Sequence, residues 1–190
     1  MKAIEDRILK DGKIINNDIL KVDSFLNHQI DVALINEFAS GVREFFNNVK
    51  VDKILTIETS GIAVAYSVAE AFGNVPLLFA KKSKSAIVDN NVYSAKVKSF
   101  TRNTESEVTV SKLYLTKGER VLIVDDFLAE GNAAMGLIDI CRQAGAIPVG
   151  FVTVIEKSFQ GGRKRIEKEG IPVFAGASIK AFENNKPIFE

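Results

Sequence analysis

A chain of 190 residues, 46% apolar and 26% charged, has the make-up of one globular domain that buries roughly 70% of its unfolded surface. Twenty-five basic against twenty-four acidic side chains leave a net charge of +1, too little field to hold a long nucleic acid, so any bound anion should be small. No stretch reaches the roughly 18 apolar residues of a membrane span, the first residues lack the uninterrupted apolar run of a secretory signal, and the single Cys141 excludes an internal disulfide, which together make the cytoplasm the expected compartment.

From the N-terminus, Met1 to Lys13 mixes charges with apolar residues at helical spacing. The segment after it, through Leu20, Asn27 and His28, has no evident place in a sheet, and neither has the tail beyond Gly170. The two are expected to form a hood, about 1–30 and 170–190, on a core of 31–169 within a single domain. Ile35, Phe38, Ala39, Val42, Phe45 and Phe46 fall at the spacing of a helical stripe, with Asp31 available as its cap. Lys53 to Glu58 predicts a strand, Thr59-Ser60-Gly61 a turn, and the alanine-rich run up to Gly73 a helix. The strand signal recurs over Pro76 to Ala80, then over Val121 to Val124 with a helix after Gly131. It returns over Ile147 to Ile155, before Gly161, Gly162, Arg163 and a short charged helix ending near Gly170. Such repetition implies an α/β fold, a parallel sheet covered by helices on both faces. Val92 to Phe100 and Glu107 to Leu115 read as a hairpin about a polar turn, Thr101 to Glu105, expected to stand off the sheet as a flexible flap. Cys141 continues the apolar pattern of Leu137 and Ile138 and reads as a packed small hydrophobe.

Chemistry concentrates where Val121 to Val124 ends in the adjacent carboxylates Asp125 and Asp126. Ligands of open parallel sheets sit beyond the carboxyl ends of strands. The following loop, Ala129, Glu130, Gly131, Asn132 and Ala133, offers backbone N–H groups at a helix start, which favour phosphate. Carboxylates repel phosphate but accept hydrogen bonds from sugar hydroxyls and help to hold Mg²⁺. Hydroxyls near the acids and a phosphate in the loop describe a ribose 5-phosphate.

Val121 to Ala133 resembles the phosphoribosyl-diphosphate signature of the type I phosphoribosyltransferases. Thr56 to Gly61 resembles their diphosphate loop, and Phe79 to Lys84 the basic strand end after it. Lys21 to Asp31 together with Glu156 to Gln160 is similar to the xanthine phosphoribosyltransferases of bacteria, over nearly the whole chain. The resemblance implies purine salvage: xanthine and phosphoribosyl diphosphate giving xanthosine 5'-monophosphate and diphosphate, with Mg²⁺ carried by the substrate diphosphate rather than by a defined set of protein ligands. Asp125 and Asp126 would serve the ribose, and Ala129 to Ala133 its phosphate. Thr59, Ser60, Gly61 and a lysine from Lys81 or Lys82 would serve the diphosphate. On the base side Lys157, a donor only, suits a 6-oxo group, Asn27 the 2-oxo group, and Leu20, Phe127 and Phe159 the ring. The flap would shut out water, with Ser99, Thr101 and Glu105 as the nearest residues for a role on the diphosphate, and a homodimer is expected because the Gly61 to Gly73 region would otherwise leave apolar surface exposed. Two departures stand out: the phosphate loop has no hydroxyl residue, and Gly161 occupies a position where proline is expected. The rival from another class is a ligand sensor on the same fold, which would be expected to add a basic DNA-binding segment that this chain lacks.

Overall fold

The apolar runs condense into one eight-stranded mixed sheet in the computed structural model, which describes residues 1–83, 91–99 and 104–190. In chain order the chief elements are helix α1 (Lys2–Asp11), the strand pair β1 (Lys13–Ile15) and β2 (Ile19–Lys21), helix α2 (Val32–Phe45), β3 (Lys53–Ile57) and α3 (Gly61–Ala71). There follow β4 (Leu77–Ser83), β5 (Val92–Ser99), β6 (Thr104–Ser111), β7 (Arg120–Leu128), α4 (Asn132–Ala144), β8 (Ile147–Lys157), α5 (Gly162–Glu167), β9 (Val173–Glu183) and β10 (Lys186–Phe189). The sheet runs β10-β9-β8-β7-β3-β4-β6-β5. Its central strands β9, β8, β7, β3 and β4 are parallel, and β10, β6 and β5 pair antiparallel at the two edges.

Strand residues alternate between faces, and two cores follow from that period. Ile54, Leu122, Val124, Val152 and Val154 point to one side, where α2 supplies Phe38 and Val42, α3 supplies Val64 and Val68, and the N-terminal segment supplies Ile4, Ile8, Phe25 and Leu26. Leu55, Ile57, Val121 and Ile123 point to the other, against Leu137, Ile138 and Cys141 of α4 and Val97 and Val108 of the hairpin. Cys141 is fully buried there and burial pushes its thiol pKa up to about 12, as expected of a packed hydrophobe. The Asp31 carboxylate caps α2 by accepting from the Leu34 N–H at 3.1 Å.

Two expectations are corrected. The hairpin does not stand off the sheet: Lys81 to Ser83 of β4 pair with Thr109 to Glu107 of β6, so β6 and β5 extend the sheet, and β5 packs on α4. Its second strand runs from Thr104 to Ser111, so it begins inside the expected turn, and of that turn Thr101 to Asn103 lie outside the described residues. The tail beyond Gly170 also joins the sheet, as β9 and β10. Gly176 and Ser178 break the apolar pattern of β9, and Gly176 allows close packing. A Cβ on it would lie 2.7 Å from the Val154 carbonyl and 3.0 Å from the Phe38 ring.

The N-terminal segment settles on this end of the sheet. The Met1 ammonium donates to the Gly176 carbonyl, and α1 packs against β9 and β10. The turns of the two terminal hairpins clasp each other: Asn185 N–H donates to Asn17 Oδ1 at 2.7 Å and Asn17 N–H to Asn185 Oδ1 at 3.3 Å. Both asparagines hold left-handed backbone, which their short side chains tolerate.

Candidate active site

A cleft opens beyond the carboxyl ends of β3, β4 and β7, lined by the acid pair, the loop after it, the loop after β3, and Lys82. Asp125 is buried and Asp126 half-buried, and the Asp126 N–H donates to Asp125 Oδ1 at 2.9 Å. Burial, then the neighbouring Asp126 carboxylate, raises the Asp125 pKa well above the usual carboxylate range, while the Lys82 charge opposes the rise. The pair is therefore a site poised for a partner that would share its negative charge or donate hydrogen bonds to it.

The loop after β7 turns at Gly131, whose φ of +80° is left-handed. The first helical bond of α4 runs from Met135 N–H to Gly131 C=O at 2.9 Å, so the amides of Ala133 and Ala134 precede the intrahelical ladder, at the positive end of the helix dipole where an anion is favoured. The loop is backed by the start of α5: Gly162 N–H donates to the Ala129 carbonyl at 3.0 Å. A Cβ on Gly162 would lie 2.3 Å from that carbonyl oxygen, so only glycine allows the two loops to touch. Gly161 has a φ of +79°, which the fixed ring of proline cannot adopt, and this explains the departure at that position.

Thr59, Ser60 and Gly61, expected to serve the diphosphate, line the same cleft, with α3 starting at Gly61. A Cβ on Gly61 would sit 2.3 Å from Thr56 Oγ1 and 3.3 Å from Asp125 Oδ1, which is how the two loops come this close. Of the two lysines, Lys82 lines the cleft, and its N–H donates to Glu58 Oε1 at 2.6 Å. Lys81, one residue earlier and hence on the other face, borders a separate apolar groove with Phe79, Leu113 and Tyr114.

The residues expected around the base fall in three places. Phe127 lines the cleft. Lys157, at the end of β8, is buried, donates from Nζ to the Asp18 carbonyl at 2.7 Å and lies 5.5 Å over the Phe182 ring, which Phe159 also meets edge-on at 5.8 Å. Leu20, two residues after Asp18, is buried in the core on the α2 and α3 side of the sheet. Asn27 and His28 line a groove along α3 that shares Thr59 and Ser60 with the cleft. Burial lowers the Lys157 pKa, and the Asp18 charge partly opposes the fall.

Sequence reasoning placed Glu58 within the stretch Thr56 to Gly61 without giving it a role, and it missed Val97 and Ser106 as cleft residues and Asp18 and Phe182 as partners of Lys157. The missed ones are contacts between segments far apart in the chain and carried no local signal.

Residues 21–181 match the model of the phosphoribosyl transferase domain. A protein of Laribacter hongkongensis named xanthine phosphoribosyltransferase is 51% identical over the full length of both chains. One of Clostridium perfringens, named xanthine phosphoribosyltransferase 1, is 50% identical, again over the full length of both. Among solved structures, adenine phosphoribosyltransferase of Giardia lamblia superposes with a TM-score of 0.75 at 20% identity, covering 90% of this chain and 95% of that one. The Saccharomyces cerevisiae enzyme of the same name gives 0.72 at 23%, covering 92% and 99%.

Proposed function

Because the chain belongs to the phosphoribosyltransferase family, we propose that it transfers the 5-phosphoribosyl group from phosphoribosyl diphosphate to xanthine, giving xanthosine 5'-monophosphate and diphosphate in purine salvage. The observation that carries the reading is the joining of three parts in one cleft: Asp125 and Asp126, the amide loop 129–133, and the Thr59-Ser60-Gly61 turn with Lys82. The names of relatives at about 50% identity support xanthine as the base.

Transfer passes through an oxocarbenium-like sugar, so the protein must align two reactants, hold the leaving diphosphate and exclude water. Asp125 and Asp126 accept hydrogen bonds from the ribose hydroxyls and favour positive charge growing on the sugar. The amides of the 129–133 loop hold the 5-phosphate, and Lys82 with the Thr59 to Gly61 turn holds the diphosphate. Among the described residues no cluster of three metal-ligating side chains occurs. The cleft does offer carboxylate oxygens, which suit Mg²⁺. Asp125 and Asp126 would face Mg²⁺ carried by the diphosphate, and that ion supplies charge neutralisation on the leaving group. Lys157 donates to the 6-oxo group after exchanging its Asp18 carbonyl, Phe127 covers the ring, and Asn27, Leu20 and Phe159 border the base end.

The same reading takes residues 1–190 as a single catalytic domain with its hood, working as a cytoplasmic homodimer without nucleic acid or membrane. No helix among the described residues is long and apolar enough to cross a membrane. The dimer is supported by large apolar side chains left at the surface, Leu113 at 79% exposure and Tyr66 at 67%. The test of function is to mix protein, phosphoribosyl diphosphate, Mg²⁺ and xanthine and to follow the purine absorbance. Conversion to the nucleotide is expected; binding without spectral change would instead mark a ligand sensor.

A further inference from the structure

The phosphate loop combines two awkward features. It has no hydroxyl side chain to donate to a phosphate, and it carries a carboxylate, Glu130, that would repel one. The structure shows how both are managed from outside the loop. Arg165 on α5 donates from Nη1 to the Glu130 carbonyl at 2.6 Å and to Asn132 Oδ1 at 2.8 Å. Asn132 passes the arrangement on, its Nδ2 donating to Glu130 Oε2 at 3.0 Å. The guanidinium thus braces the loop at two points, and the relay through Asn132 ends on the carboxylate, which is held within the loop's own bonds. The helix bearing Arg165 is itself fixed, because the neighbouring Arg163 donates to the buried Glu156 carboxylate at 2.6 Å and Gly162 touches Ala129.

We propose that Arg165 is a positioning residue for the phosphate loop, ordering its amides and restraining Glu130 so that the loop accepts the 5-phosphate of phosphoribosyl diphosphate. The inference rests on the substrate reading above. Arg165 lies outside the residues lining the cleft, so it acts through the loop and not on the ligand.

The experiment compares wild type, Arg165→Ala, Arg165→Lys and the double variant Arg165→Ala/Glu130→Gln. Calorimetry with phosphoribosyl diphosphate and Mg²⁺ should give a Kd about tenfold weaker for Arg165→Ala, the size expected for losing a charged hydrogen-bond brace. Arg165→Lys keeps the charge and a donor nitrogen on a more flexible stem and should lie between, and neutralising Glu130 in the alanine variant should recover part of the loss. The KM for xanthine should stay within about twofold of wild type, which a general loosening of the fold would not permit. Amide hydrogen exchange over 129–134 in ligand-free protein reads the ordering with no substrate, and it should quicken in Arg165→Ala. That measurement separates this inference from the substrate assignment, since wild type that fails to bind phosphoribosyl diphosphate would sink the assignment alone. Unchanged exchange in Arg165→Ala, an unchanged Kd, or a loss that Glu130→Gln leaves untouched would each overturn the role given to Arg165.

Discussion

At the scale of single residues, the role proposed for Asp125 would set function against stability. Its folded pKa is raised by burial and by Asp126, so the folded protein holds this proton more tightly than the unfolded chain does. The stability it contributes is complete below the unfolded value of 3.8 and is lost as pH rises through the higher folded value. Asp125→Asn keeps an acceptor for the Asp126 N–H and removes the charge, so at neutral pH the ligand-free variant should melt higher, by about 2–4 °C for each kcal/mol relieved. Its kcat should nevertheless fall by roughly 10²–10³, with xanthine affinity little changed. Calorimetric melting and steady-state kinetics check both halves; a variant that is both less stable and equally active would place the site elsewhere. Lys157 has the opposite sign. Burial lowers its pKa below the ordinary 10.5, so the unfolded chain binds its proton more tightly and stability from this group grows as pH rises between the two values. The charged donor is lost over the same range, and kcat/KM for xanthine should decline there. Xanthine also titrates, so the informative quantity is the difference from Lys157→Arg, whose guanidinium stays charged and should carry the limb to higher pH. Lys157→Met should lose roughly ten- to hundredfold in kcat/KM at neutral pH.

At the scale of elements, the site is a meeting of chain turns, each with a glycine where close approach or a left-handed backbone requires one. Gly61 makes room beside Thr56 and Asp125, Gly131 turns left-handed into α4, and Gly162 lies under Ala129. Gly162→Ala would force a methyl to within 2.3 Å of the Ala129 carbonyl oxygen, and because that neighbour is backbone, the phosphate loop itself must shift. The expected result is a loss of roughly 1–3 kcal/mol in stability and a raised KM for phosphoribosyl diphosphate. Denaturant melts and kinetics with each substrate varied would show it. Ordinary melting with an unchanged KM would mean that the loop tolerates displacement. Gly161 is different, since a Cβ there meets nothing within 4 Å, and only its left-handed φ restricts the choice of residue.

At the scale of the whole molecule, large apolar side chains lie exposed on α3 and beside β4, and the proposed dimer would cover them. Tyr66 lies on α3, and Leu113 and Tyr114 follow β6 next to Phe79 and Lys81. If these faces meet across a two-fold axis, light scattering should give twice the chain mass of 20.8 kDa, and Leu113→Asp or Tyr66→Glu should shift the population toward monomer. A concentration-independent monomer would remove the dimer.

The strands β3, β7 and β8 and helices α2, α3 and α4 were legible because each carries its own period: apolar runs on buried strands, a three-and-four stripe on helices, and turn residues between them. That the acid pair and the 129–133 loop lie side by side was legible for a related reason, since both belong to one continuous strand-loop-helix unit. What the chain could not announce were contacts between distant segments. The tail beyond Gly170 had no evident place until Phe38 is seen lying over Gly176, and β9 enters the sheet through backbone pairing that its broken apolar pattern conceals. The choice between Lys81 and Lys82 turned on which face of β4 looks into the cleft, and that depends on the strands β4 pairs with. Lys157 is fixed by the carbonyl of Asp18, 139 positions away, and the phosphate loop by Arg165, 33 positions beyond Asn132. Local sequence determines which backbone form a segment adopts, because propensity and periodicity act over a few residues. Which side chains then meet is decided by packing, and only the folded sheet brings those partners within a hydrogen bond of one another.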